Sequence, residues 1–173
     1  MKSRIVLACG VLIGMTLIAF GATPEVAPVS PMPSFDQDAS TVIAAMTREA
    51  AKRGVHGAAV FARAHGNPID SWQSQMAVVG HFFTPPNDKD KGANVLGIAY
   101  AKASEMAATL LDSGAAKRPP VTGEFGWKGG TIRVVGDTIY IAAFSGGPSD
   151  DDYAISCAGL DAVLGVNRAP EKH

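Results

Sequence analysis

The sequence predicts an α+β domain in which an antiparallel sheet of about five strands is flanked by helices. Segments with helical periodicity alternate with pairs of short strand-like segments, in the order helix, hairpin, helix, hairpin, helix. Glycine, proline, asparagine and aspartate residues separate the paired strands. The length of 173 residues, with 47% hydrophobic residues, fits one domain that has its own core.

The composition excludes two classes of protein. With 18% charged residues and a large hydrophobic fraction, the chain is not an intrinsically disordered protein. The 15 Lys and Arg residues are balanced by 16 Asp and Glu residues, which gives a formal net charge of −1. Because there is no basic excess to neutralise phosphates, nucleic acid is not an expected partner.

The N-terminus has the pattern of a secretory signal peptide over residues 1–21. Lys2 and Arg4 precede an uncharged apolar run, and Ala19 and Gly21 provide the small residues of a cleavage site. We expect cleavage, a periplasmic or secreted location and no membrane contact afterwards. The alternative is an uncleaved membrane anchor, because the run is close to the spanning minimum of about 17 residues.

The remaining chain divides into a tether, one domain and a tail. Residues 22–34 contain four prolines and no periodicity, which predicts a Pro-rich flexible tether. Residues 35–165 form the predicted domain, and residues 166–173 form the tail. Loss of the signal peptide removes two cations and no acid, so the formal net charge of −1 becomes −3. Cys157 is then the single cysteine, and the domain has no internal disulfide.

Three helices are predicted, at Phe35–Arg53, at about Ala93–Asp112 and from near Ser149. Apolar residues recur at helical spacing in each segment. In the second helix this stripe consists of Leu96, Ala99, Ala103, Met106 and Leu110. Asp36, Asp38 and Ser40 offer capping oxygens for the first helix.

Four strand segments are clear. Gly57–Arg63 and Ile69–Val79 are predicted to pair antiparallel, and Thr131–Val135 pairs with Thr138–Ala142 across the two-residue turn Gly136–Asp137. Gly80–Gly92 is polar and charged and contains proline, which predicts a surface loop.

Two histidines are candidate iron ligands, and three aromatic residues are candidate porphyrin contacts. His56 lies where the first helix meets the first strand, and His81 precedes Phe82 and Phe83. An imidazole next to exposed apolar rings suits haem, with Trp72 as a further flat surface. For each histidine the alternative is a structural or solvated side chain.

The block from Ser145 to Asp152 allows two interpretations. Its glycines make a tight turn, Ser149 caps the third helix, and three aspartates complement the helix dipole. The alternative is a divalent-cation site formed by the aspartates. Lys102 on the second helix either lines a pocket or is solvated, and Cys157 is predicted to be a buried apolar residue.

From the second helix onward the chain resembles the GlcG/HbpS-like family, also called the haem-degrading domain family. Ala101–Ser104 is similar to the family's Lys-Ala-x-Thr-Ala helix, and Gly129–Gly130 opens a hairpin as in the family. Ala143–Asp152 followed by Ala154–Leu160 resembles the family's Val-Ser-Gly-Gly, acidic run and Ile-Ala-x-x-Gly-Leu ending. Two departures are the segment Gln73–Ala77, which replaces Arg-Met-Asp-Gly-Ala, and the inserted loop Gly80–Gly92.

The resemblance implies a three-layer domain that assembles into homo-oligomers, and in some members an exported haem-binding protein. We therefore expect non-catalytic binding of haem, or of another small molecule, with His56 or His81 as the iron ligand. Two alternatives are an enzyme or accessory protein acting on a small organic acid or on haem, and an oligomeric structural module that binds no ligand.

Overall fold

The structure, a computed structural model, describes residues 34–165. In chain order the elements are α1 (Phe35–Arg53), β1 (Gly57–His65), β2 (Ser71–Val79), β3 (Phe83–Thr84), β4 (Ala93–Asn94), α2 (Val95–Thr109), β5 (Gly130–Val135), β6 (Thr138–Ser145) and α3 (Ser149–Leu164). This order confirms the predicted alternation of helices and hairpins.

The main sheet has four antiparallel strands in the order β2-β1-β6-β5. The β5–β6 hairpin turns at Gly136, whose φ of 59° is the left-handed conformation that a two-residue turn requires. The sheet has four strands instead of about five, because the short strands β3 and β4 pair with each other in a separate ladder.

Helices cover both faces of the sheet, which confirms the predicted three-layer α+β architecture. Ala59 and Phe61 of β1 belong to the core layer with α1 and α3. Ala58 and Val60, on the opposite face of the same strand, belong to the layer with α2. The central strand is therefore buried on both sides, as its continuous apolar sequence requires.

The first and third helices pack closely because of one glycine. A Cβ atom on Gly159 would overlap the side chains of Met46 and Val42 of α1. Glycine at this position therefore allows α1 and α3 to approach more closely than any other residue would.

The first helix has the predicted bounds but a different cap. The Ser34 hydroxyl accepts a hydrogen bond from the Gln37 N–H at 3.3 Å. Asp38, one of the predicted caps, is instead buried and accepts a hydrogen bond from Arg63 at 3.0 Å. Burial raises the pKa of Asp38, and the Arg63 guanidinium opposes that shift. The pair joins α1 to β1.

The second helix is shorter than the predicted segment at both ends. It begins after Asn94, whose side chain accepts a hydrogen bond from the Gly97 N–H at 3.3 Å. It ends at Thr109, and the C-cap residue Leu110 adopts a left-handed φ of 55° and is 39% exposed. Leu110 is consequently not part of the buried stripe, to which Ala99, Ala103 and Met106 do belong.

The third helix begins at Ser149 as predicted, but Ser149 does not cap it. Pro148 occupies the N-cap position and makes no side-chain cap hydrogen bond. Instead, the carboxylate of Asp152, in the first turn of the helix, accepts a hydrogen bond from the Gly147 N–H at 2.9 Å. This bond gives a partner to a backbone N–H of the loop that precedes the helix.

The predicted signal peptide and tail lie outside the described residues, as does the tether apart from Ser34, which caps α1. Within residues 34–165, none of the helices has both the length and the apolar character needed to cross a membrane.

Candidate functional site

One end of the main sheet brings His56 and His81 together. β1 begins directly after His56, and β2 ends two residues before His81, with Gly57 opposite Val79 in the antiparallel register. The two imidazole rings have centroids 5.5 Å apart and planes tilted by 40°. Both histidines are exposed. The strand pairing therefore produces an imidazole pair that sequence distance does not suggest.

Glycines hold the backbone close around His56. A Cβ atom on Gly80, which has a φ of 83°, would overlap the His56 imidazole. A Cβ atom on Gly146 would overlap the His56 carbonyl oxygen. The Gly146–Gly147 turn that the sequence motif contains thus lies directly against the histidine end of the sheet.

Phe82 and Phe83 extend this surface with two exposed rings. They are 43% and 51% exposed, respectively. The Phe82 carbonyl accepts the Val95 N–H at 2.9 Å, and Phe83 pairs with Asn94 between β3 and β4. The backbone of this segment is therefore anchored, while its apolar side chains are exposed directly after His81 in the chain.

Trp72 lies at the other end of the sheet. It is opposite Ala64 near the start of β2. Trp72 and Val79 are seven residues apart along an extended strand, which corresponds to about 23 Å between their Cα atoms. Trp72 therefore lies far along the strand from the histidine pair instead of beside it. The predicted set of site residues therefore divides between the two ends of the sheet.

Lys102 and Asp152 form a buried ion pair between α2 and α3. The Lys102 Nζ donates to Asp152 Oδ2 at 2.9 Å and to the Phe144 carbonyl at 2.8 Å. A Cβ atom on Gly129 would overlap the Lys102 ammonium group. Lys102 is buried, so the interpretation of it as a solvated helix residue is wrong. The structure assigns it to the interior, next to β6.

Burial sets the protonation energetics of this pair. It lowers the pKa of Lys102, which the Asp152 carboxylate opposes. It also raises the pKa of Asp152, against the effects of Lys102 and of the backbone N–H groups of Gly146 and Gly147. Because each charge is matched by the other and by hydrogen bonds, the pair fastens the Gly-Gly turn to both helices.

Each aspartate of the acidic run has a protein partner. Asp150 accepts from Lys128 at 2.7 Å, and Asp151 accepts from Arg53 at 2.7 Å. Asp152 is the buried partner of Lys102. Among residues 34–165, no group of three or more His, Cys, Asp or Glu side chains is placed to hold a metal ion.

Cys157 is half-buried on α3 instead of fully buried as predicted. Burial raises the pKa of its thiol, and the neighbouring Tyr153 opposes that shift. Burial also raises the pKa of Tyr153, whose hydroxyl donates to Asp112 at 2.8 Å. A thiol with a raised pKa is a poor nucleophile at neutral pH.

Glu105, which no motif in the sequence singles out, holds the segment that follows α2. Its buried carboxylate accepts the N–H groups of Gly114 and Gly126, each at 3.0 Å. These bonds tie the long segment between α2 and β5 to the helix. The sequence does contain one indication of this burial. The helical spacing places Lys102 and Glu105 on the apolar side of α2, among Ala99, Ala103 and Met106.

This chain is similar to known proteins in its three-dimensional structure. The sequence matches no protein-family model, and no curated protein is significantly similar to it. The solved complex of PduOC with heme has a TM-score of 0.52 and 17% identity, over 77% of this chain and 96% of that one. HbpS has a TM-score of 0.50 and 22% identity, over 84% of this chain and 99% of its own.

The Klebsiella pneumoniae protein ORFY, of DUF336, is a more distant neighbour, with a TM-score of 0.49 and 13% identity over 84% of this chain and all of its own. Identities this low describe the fold alone. PduOC and HbpS share the fold of this chain at TM-scores of 0.52 and 0.50. The chain therefore has the GlcG/HbpS-like fold.

Proposed function

We propose that this protein binds haem at the end of the sheet that carries His56 and His81. The observation that carries the proposal is the pair of exposed imidazoles, with ring centroids 5.5 Å apart, followed in the chain by the exposed rings of Phe82 and Phe83. Imidazole nitrogen is a common haem-iron ligand, and apolar rings suit the porphyrin face. The heme complex of PduOC, which has a similar fold, supports this choice of ligand.

The side chains at this end of the sheet fit haem by their chemistry. Either imidazole can supply the nitrogen ligand, because both are exposed and neither is enclosed by the core. Phe82 and Phe83 provide porphyrin contacts from an anchored backbone. Bound haem would supply a redox-active iron. An open surface of this kind favours reversible binding and release of haem, as in haem sensing, storage or scavenging. Catalysis on haem would be favoured by a site enclosed from solvent.

Titration of the full chain with haemin tests the proposal. We expect a saturable shift of the Soret band. His56→Ala and His81→Ala should each weaken binding several-fold, because the other imidazole is still available, and the double variant should lose the saturable shift. His65→Ala is the matched control: His65 is exposed at the opposite end of β1, where it lies 3.5 Å from Asp70. This control should bind haemin as the unchanged protein does.

Two results would contradict the proposal. One is the absence of a saturable shift in the unchanged protein. The other is a double variant that binds haemin as tightly as the His65→Ala control, which would place the ligand elsewhere. Circular dichroism of each variant shows whether the fold is retained, and both substitutions are at exposed positions where little stability should be lost.

The proposal includes export, a homo-oligomeric state and a non-catalytic role, each of which has its own test. N-terminal sequencing of the protein from its native compartment reports cleavage of residues 1–21. Light scattering reports the oligomeric state. Product formation from haemin and a reductant would favour an enzyme, and an oligomer indifferent to every ligand would favour a structural module.

A further inference from the structure

A second concave site lies at the opposite end of the sheet from the histidines. It is a groove of about 540 Å³ between the tip of the β1–β2 hairpin and the outer side of α2. Gly66–Ile69 form its hairpin wall, Tyr100, Ser104 and Ala108 its helix wall, and Trp72 its aromatic side. This volume is within the range of small-molecule sites, about 300–1,000 Å³.

The groove exists because of small residues at helical spacing. Tyr100, Ser104 and Ala108 follow one another at intervals of four, so they share one side of α2. The small side chains of Ser104 and Ala108 leave room above the helix, while Tyr100 closes one end. Trp72 and Tyr100 meet edge to face, with ring centroids 6.3 Å apart and planes at 69°.

Trp72 carries an unpaired donor at this groove. Its indole Nε1 is buried and, among residues 34–165, has no hydrogen-bond partner. A buried donor without a partner is unfavourable, and native proteins seldom contain one without a specific reason. An acceptor that enters the groove and reaches the indole through a small side-chain adjustment would relieve this cost.

The lining determines the class of ligand. None of the residues that border the groove carries a formal charge, and most of its surface is aliphatic or aromatic. We propose that the groove binds a small, planar, uncharged aromatic molecule whose carbonyl oxygen accepts the Trp72 Nε1–H. Haem is a poor fit, because its two carboxylates would find no cation in the lining. The groove is thus a site separate from the histidine pair.

The test follows the indole N–H signal of Trp72 by NMR in the ¹⁵N-labelled full chain. The sequence contains two tryptophans, and Trp127→Phe identifies the Trp72 signal. The probes are coumarin and chromone, which have two fused rings and a carbonyl, with naphthalene as a two-ring control without an acceptor. Coumarin should move the Trp72 signal saturably and downfield and leave the Trp127 signal in place. Naphthalene should bind about 2–10-fold more weakly, the range expected for one neutral hydrogen bond.

Two variants separate the hydrogen bond from the shape of the groove. Trp72→Phe keeps an aromatic ring and removes the donor, so coumarin should lose its advantage over naphthalene, as measured by the chemical shifts of Tyr100 and Ser104. Ala108→Trp fills the groove from an exposed position on the helix and leaves Trp72 unchanged, so both probes should lose binding. Both variants should retain the Soret response to haemin, since His56 and His81 are unaltered.

Coumarin and chromone are each titrated up to the solubility limit of the probe. The proposal is overturned if neither probe shifts the Trp72 indole signal over that range. Equal affinity for coumarin and naphthalene in the unchanged protein would also overturn it, because the indole would then play no part. Unimpaired binding by Ala108→Trp would place the ligand outside the groove. Loss of haemin binding in Trp72→Phe would contradict the separation of the two sites.

Discussion

The Nζ of Lys102 and the Oδ2 of Asp152 lie 2.9 Å apart, with 3% and 4% of the two side chains exposed. The pair joins α2 to α3 beside the C-terminal end of β6. It also holds the Gly147 N–H through Asp152 and the Phe144 carbonyl through Lys102. The segment Ala143–Asp152, which carries the family resemblance, is therefore where an ion pair and its hydrogen bonds connect α2, α3, β6 and the Gly146–Gly147 turn.

Lys102→Met should destabilise the protein by about 3–5 kcal/mol, because it leaves the Asp152 carboxylate buried without its partner. The measurement is the free energy of unfolding in denaturant. Lys128→Met is the matched control: Lys128 also pairs with an α3 aspartate, Asp150, but at the surface. It should change stability little.

The double variant Lys102→Met/Asp152→Leu distinguishes loss of the ion pair from the penalty of an unpaired charge. We expect it to be more stable than Lys102→Met alone, since both buried charges are removed together. Equal stability of Lys102→Met and the Lys128→Met control would contradict the structural role assigned to this pair.

Gly159→Ala should cost about 1–3 kcal/mol by overpacking, because the added methyl overlaps Met46 and Val42 of α1. Thermal or denaturant unfolding measures this loss. Ala162→Leu adds bulk at an exposed position on the same helix and should be close to neutral. A neutral Gly159→Ala variant would mean that α1 and α3 are not in the close contact described above.

Gly80→Ala should weaken haem binding without removing either histidine. Its Cβ would displace the His56 imidazole, and the left-handed φ of 83° adds a backbone cost of about 1–2 kcal/mol. Gly136→Ala is the matched control, because Gly136 also has a positive φ, 59°, but has open space around its Cα. Equal haemin affinity in the two variants would argue against His56 as an iron ligand.

The carboxyl group of Glu124 should titrate at about 2, well below the ordinary value of 4.5. Two hydrogen bonds from Arg118, at 2.7 and 2.8 Å, are the main cause, and the Val121 N–H adds a third. Since the pKa of Glu124 is lower in the folded protein than in the unfolded chain, the ionised carboxylate stabilises the folded state fully above about pH 4.5. This stabilisation is lost as the pH falls through about 2.

Carboxyl-carbon chemical shifts over a pH series measure the pKa of Glu124 directly. Arg118→Met should raise that pKa toward 4.5. Arg48→Met, which removes an exposed arginine from α1, should leave it unchanged. A Glu124 pKa near 4.5 in the unchanged protein would show that the Arg118 ion pair is not formed in solution.

Local patterns in the sequence predicted the three helices, the four strands of the main sheet and their order, but not the short strands β3 and β4. Apolar spacing located the three helices, and Gly136 marked the hairpin turn because its left-handed backbone is a local requirement. Helix caps were less predictable. Ser34, which caps α1, lies in the segment predicted to be a tether. Asp38 is instead an ion-pair partner of Arg63, because β1 packs against α1 in a way that the local sequence does not reveal.

The sequence by itself determined the fold class, the alternation of helices and hairpins, and the small, alanine-rich core strand that can be buried on both faces. It did so because these features depend on residue size and on periods of two and 3.6. The tertiary structure alone decided which distant side chains meet. Within the β1–β2 hairpin that the sequence predicts, the register sets His56 beside His81 and Trp72 at the far end, and the packing of α2 and α3 on one sheet encloses Lys102 with Asp152.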